Sequence, residues 1–145
     1  MHILSDGNGN PLGFYLTGGQ VNECTVVDEV LMTANGLEES NGQPVAWPVA
    51  VSGDKGYRAN WIDEYLIDLG IKPVIPSRTT ETRTIRPVPF DKEVYRDRNI
   101  VERLIGWLKE YRRIFSRFEK SAKNFGGMIR LGIIQRYLKT LSWEV

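Results

Sequence analysis

Tyr95, Arg98, Glu102 and Lys109 stand along one stretch, YRDRNIVERLIGWLK, with the last three lying three, seven and fourteen residues after the first. At about 100° per residue of a helix, these offsets put all four inside a sector of roughly 60°, a polar stripe about four turns long with one carboxylate facing two cations. Carboxylate oxygens are ligands for hard divalent cations, and guanidinium and ammonium groups hold phosphate. The plainer alternative is a set of helix-surface ion pairs, such as Arg98 with Glu102, worth a few tenths of a kcal/mol each. The full spacing, Y-(2)-R-(3)-E-(6)-K, weighs against it, because chance alone produces it in roughly one chain of this length in a thousand.

A second acid occupies a position of the same kind. VAVSG reads as a short buried strand that runs straight into Asp54-Lys55-Gly56-Tyr57. Asn60 can cap the following helix, whose Trp61, Ile62, Tyr65, Leu66 and Leu69 share one face and whose stop is Gly70. KPVIP follows as another strand. Strand, helix and strand in so short a span make a βαβ unit, with Asp54 just past the carboxyl end of its first strand, the edge where α/β sheets place chemistry.

The remaining elements must position these two acids. HILS-DGNGN-PLGFYLT reads as a β-hairpin. Its Asp6-x-Asn8-x-Asn10 opening fails as a calcium loop, because Pro11 replaces the required Gly and Thr17 replaces the bidentate Glu. Gly18-Gly19-Gln20 leads into a helix of about a dozen residues with Val26, Val27, Val30 and Leu31 on its apolar face and Asn35-Gly36 as its stop, and a loop follows over 36–48. Ser77 to Asp91 is an exposed basic loop carrying Arg78, Arg83 and Arg86. Asp91 caps the next helix, with Phe90 and Tyr95 as a hydrophobic staple and Val101, Leu104, Leu108 and Tyr111 as its apolar stripe. A basic connection, YRRIFSRFEKSAKNF, carries Arg112 and Arg113 where they can meet a polyanion, and a last helix is expected from about Gly126 to Leu141.

With 145 residues, 41% of them hydrophobic and 26% charged, the chain is sized and composed as one ordinary soluble domain, expected in the cytoplasm. No apolar run approaches the roughly 18 residues of a membrane helix, and MHILSDGNGN is not a secretory leader. Cys24 is a lone cysteine and His2 a lone histidine, which excludes an internal disulfide and a zinc set. The net charge of +1 hides an asymmetry. Residues 1–53 hold no Lys or Arg and six acids, so the remainder carries all nineteen basic residues against twelve of the eighteen acids, a balance of +7. Such a half suits a polyanionic partner, or else is a solvated basic surface.

The sequence resembles the DDE transposases of bacterial insertion sequences, in the group with the Y-(2)-R-(3)-E-(6)-K signature. DGNGNPLGFYLTGGQ, VSGDKGY, VIPSR and FDKEVYRDRNIVERLIGWLKEYRRIFSRFEKSAKNF follow that family's order of blocks up to about residue 125. The resemblance implies an RNase H-like α/β domain, a mixed sheet flanked by helices, over residues 1–145. Asp54 matches the second catalytic aspartate and Glu102 the catalytic glutamate. Both are expected to bind two magnesium ions, for which manganese can substitute, in cleaving and joining DNA at terminal inverted repeats. Tyr95, Arg98 and Lys109 match the companions that hold phosphate.

One part of the pattern is missing. The family's first catalytic aspartate lies on a strand upstream of the hairpin, so the domain is expected to lack its first strand. Asp6 sits in the hairpin turn and is a poor substitute. The expectation is a truncated copy, or a second reading frame whose upstream partner supplies the strand and its aspartate, acting as a homo-oligomer on insertion-sequence ends and target DNA. The alternatives are a catalytically dead remnant that only binds DNA and, more distantly, an unrelated RNase H-like nuclease.

Overall fold

The computed structural model describes residues 1–37, 42–44, 46–78 and 88–142. Arg83 and Arg86 of the expected basic loop, and Glu38 and Glu39 of the acidic half, lie outside the described residues.

The hairpin forms as its turn residues predict. β1 (His2–Ser5) pairs antiparallel with β2 (Pro11–Tyr15), with His2 opposite Tyr15 and Ile3 opposite Phe14. Asp6 closes the turn: its carboxylate accepts from Asn8 N at 2.9 Å, Asn10 N at 2.8 Å and Asn10 Nδ2 at 2.8 Å. The expected dozen-residue helix is shorter. A 3-10 turn over Glu23–Val26, opened by Asn22 accepting from Cys24 N, runs into α1 (Val27–Met32). Val26, Val27, Val30 and Leu31 are buried, as their spacing predicts.

β3 (Ala50–Ser52), α2 (Asn60–Asp68) and β4 (Lys72–Val74) make the βαβ unit, with β3 and β4 parallel and Ala50 opposite Lys72. Two details depart from expectation. The N-cap of α2 is Ala59, because the Asn60 side chain instead accepts from Arg58 Nη2 at 2.9 Å. Ile62 and Leu66 are fully buried, but Trp61 and Leu69 are exposed. The buried polar member of the helix is Asp63, paired with Arg58 at 3.2 Å with both side chains only 2% exposed.

The helix expected after Asp91 is broken in two. α3 (Lys92–Arg96) is capped by Asp91, which accepts from Glu93 N and Val94 N, and Phe90 staples to Tyr95 with ring centroids 5.2 Å apart. Asp97 and Arg98 then turn through three-residue hydrogen bonds before α4 (Asn99–Glu110). Leu104 and Leu108 bury the apolar stripe of α4, which packs on β1. α5 (Arg112–Phe115) is a single turn inside the basic connection. α6 (Ala122–Ser142) starts four residues before the expected Gly126, at a turn where Ser121 Oγ accepts from Asn124 N. Gly132 faces α4, where a Cβ would meet Leu108 Cδ2 at 3.4 Å, an ordinary packing contact.

The described strands form two two-stranded sheets, one antiparallel and one parallel, in a mixed α/β fold. Helices cover both faces. Leu4 and Val51 pack with Val27, Leu31, Ile62 and Leu66, while Met1 and Ile3 pack with Leu108 and Ile129.

Candidate active site

Asp54 follows β3 directly and caps the 3-10 turn Lys55–Tyr57, its Oδ1 accepting from Gly56 N at 2.8 Å. Oδ2 has no hydrogen-bond partner among the described residues. The turn is braced from behind. Cys24 Sγ donates to Gly56 O at 3.0 Å, and His2 Nδ1 is hydrogen-bonded to the Tyr57 hydroxyl at 2.6 Å while its Nε2 reaches Thr17 Oγ1 at 2.8 Å. Gly56 leaves room for the capping carboxylate, since a Cβ there would stand 2.9 Å from Asp54 Oδ1 and 3.0 Å from Glu23 Oε2 and would push those side chains aside.

Glu102 lies in the first turn of α4, and Arg98 Nη2 donates to its Oε1 at 2.6 Å. Tyr95 stacks under Arg98, with the guanidinium carbon 5.4 Å from the ring centroid. An i,i+4 pair is what an ordinary helix surface also gives. The distinguishing fact is location: Asp54, Arg98 and Glu102 line one cavity of about 1320 Å³ between the hairpin, the βαβ unit and α3–α4. The two acids come from segments far apart in sequence. Lys72 Nζ joins them mechanically by donating to Asp91 Oδ2 at 2.7 Å, which ties the start of α3 to β4. That hydrogen bond, with those from Val94 and Glu93, holds the Asp91 carboxyl below the usual carboxylate range.

The other expected site residues are more dispersed. Lys109 is two turns beyond Glu102 on α4, about 10 Å along the axis, so of the two cations only Arg98 reaches the carboxylate. Arg112 stacks over Phe118, and Arg113 pairs with Glu119 at 3.2 Å on the surface. Asp6 lines the cavity but is occupied by its own turn. His2, Cys24 and Tyr57 were not legible as supports of Asp54. A lone His beside a hairpin start and a lone Cys carry no such signal, and only the fold brings them together.

The oxygen donors suit magnesium or manganese in kind but fall short in number. Among the described residues no three His, Cys, Asp or Glu side chains are grouped to hold a metal ion. A hard divalent cation takes six or more oxygens, so two carboxylates need help.

The buried His2 gives a pH test of this bracing. Desolvation, aided by the N-terminal amine and opposed by Glu23 and Asp54, lowers its pKa below the ordinary 6.5. The unfolded chain therefore takes up the proton first. The His2 contribution to stability is complete above about pH 6.5 and declines as pH falls from there to the native pKa. A urea midpoint should drop between pH 7.5 and 5.5, and less so in His2→Gln. An equal drop in both proteins would deny His2 that role.

The family described as Transposase DDE domain matches residues 1–134. The chain is 34% identical over 131 residues to "Putative transposase for insertion sequence element IS402" of Burkholderia cepacia, covering 90% of the chain and 58% of that relative. It is 26% identical over 139 residues to "Putative transposase for insertion sequence element IS6501" of Brucella ovis, covering 96% of the chain and 97% of that relative. The chain thus spans less than two thirds of the Burkholderia protein. No solved structure matches it significantly. Among the described residues no helix is long and apolar enough to cross a membrane.

Proposed function

Because the chain belongs to the Transposase DDE domain family, we propose that residues 1–145 form part of an RNase H-like catalytic unit that cuts and joins insertion-sequence DNA at its terminal repeats. The observation that carries this reading is that Asp54, at a strand end, and Glu102, on a separate helix, line one cavity. Asp54 Oδ2 and the Glu102 carboxylate are the groups that would hold magnesium. The metal supplies Lewis acidity and an activated water or 3′-hydroxyl for in-line phosphoryl transfer.

Each neighbouring residue has a role in that reaction. Arg98 positions Glu102 and is the cation nearest to any phosphate approaching it. Tyr95 holds the guanidinium flat against its ring. Lys109, Arg112 and Arg113 extend positive charge along the α4–α5 side, where the flanking DNA backbone would run. A third carboxylate beyond these two would complete the site, since a hard divalent cation takes six or more oxygens, and the protein works as a homo-oligomer. A second reading, a DNA-binding remnant without catalysis, is favoured by the absence of a three-ligand group among the described residues. Magnesium-dependent nicking of end DNA by the completed protein separates the two, since the remnant binds and never cuts.

The phosphate role of Lys109 has its own test. Lys109→Ala should weaken DNA binding and lower the slope of log K against log salt by about one unit, with little change in sequence preference. An unchanged slope would make Lys109 an ordinary surface lysine.

A further inference from the structure

The basic connection between α4 and α6 leaves two aromatic rings in water. Phe115 is 69% exposed and Phe118 58%, more than any other aromatic residue among those described. They stand three residues apart around the turn that closes α5, and the same stretch carries Arg112, Arg113, Arg117 and Lys120, all exposed, with Glu119 as its one acid. The exposure is not slack in the chain. Ile114 is buried with Leu108 and Ile129, which fixes the turn on the core while its neighbour Phe115 faces outward. Cations already flank the rings, with the Arg112 guanidinium carbon 5.9 Å from the Phe118 centroid and Arg113 paired with Glu119 at 3.2 Å. Arg117 adds an independent sign. Its φ of 45° lies in the left-handed region, where it is the one residue other than glycine among the described residues. Glycine would close a helical turn there at less cost, and strain of this kind is retained where a side chain serves a function.

We propose that this turn is a stacking site for unpaired bases of a DNA strand, with Phe115 and Phe118 against base faces and Arg112, Arg117 and Lys120 on the phosphates of the same strand. The mixture of groups selects the partner. A purely apolar partner would leave the cations unpaired and a purely anionic one would leave two rings in water, whereas a single strand presents bases and phosphates together. Duplex phosphates need cations and no rings. Inside a duplex each base face is covered by its neighbours, so the phenyl groups meet bases only where a pair has opened. Every base has such a face, so the site is tolerant of sequence. That the strand belongs to insertion-sequence DNA rests on the reading above: α4 ends about 12 Å beyond Glu102 along its axis, which places the opened bases beside the reacting phosphate.

Fluorescence anisotropy of residues 1–145 with three oligonucleotides of equal length at one salt concentration tests the proposal: a single strand, its duplex, and a strand of abasic sites with the same phosphates. The chain should bind the single strand about tenfold or more tighter than the abasic strand. Phe115→Leu with Phe118→Leu, which keeps apolar bulk on an exposed turn, should remove that advantage and leave duplex and abasic affinities within about twofold. Trp at both positions should restore it. Equal affinity of the parent for single and abasic strands, or an advantage that survives in the Leu variant, would overturn the stacking site. So would Leu substitutions that change only self-association in sedimentation, because a second copy of the chain would then cover the rings. Failure of the parent to bind any of the three would overturn the DNA reading as well, so the two failures are seen separately.

Discussion

In a protein supplied with the proposed third carboxylate, Glu102→Gln is expected to lower magnesium-dependent strand cleavage by about a thousandfold or more while leaving binding of end DNA within about threefold of the parent. Gln is nearly isosteric and can still accept from Arg98 Nη2, which holds Glu102 Oε1 at 2.6 Å, so α4 and the Arg98–Tyr95 stack remain in place. What is lost is the negative charge that a hard cation requires. Asp54→Asn should behave alike, because an Asn at that position still caps the Lys55–Tyr57 turn through its carbonyl oxygen. Cleavage within about threefold of the parent by either variant would move that ligand elsewhere.

The largest stability effect is expected away from the cavity. Asp63→Ala should cost about 3–5 kcal/mol, because it leaves the Arg58 guanidinium buried without the carboxylate that faces it at 3.2 Å. That is a large fraction of the roughly 5–15 kcal/mol that holds a domain together. Arg58 ends the Lys55–Tyr57 turn that Asp54 caps, so the same substitution should loosen the support of Asp54. Replacing both partners by apolar residues of similar volume, Arg58→Met with Asp63→Leu, should cost clearly less than either single change. Urea midpoints measure all of these, and a double variant at least as unstable as the single ones would mean the pair contributes more than the cost of an uncompensated charge.

The local rules were legible wherever the determinants were local. DGNGN gives the hairpin, Asp91 with Phe90 and Tyr95 gives the start of α3, and the valines of 26–30 give a buried helix face. The polar stripe was legible as helical but not in its exact geometry. The break at Asp97–Arg98 leaves no Gly or Pro to announce it, so a continuous helix was the natural reading. The Arg58–Asp63 pair was hidden for a related reason: RANWID looks like a capped helix start, and only burial in the folded chain turns two charges inward. The division of the strands into two separate pairs was beyond local sequence as well. Strand neighbours are a property of topology, and the sequence marks strands without saying which edges stay open.

The central claim is that Asp54 and Glu102 are two carboxylates of one metal site that needs a third ligand. The most direct measurement is nicking of insertion-sequence end DNA in magnesium, by the purified chain and by the chain supplied with a strand that carries an added aspartate. The account predicts weak, sequence-tolerant binding and no cutting by the chain alone, and metal-dependent cutting once that strand and its aspartate are supplied. Efficient cutting by the chain alone, lost in Asp6→Asn, would contradict it, because Asp6 would then have left its hairpin turn to serve as the third ligand.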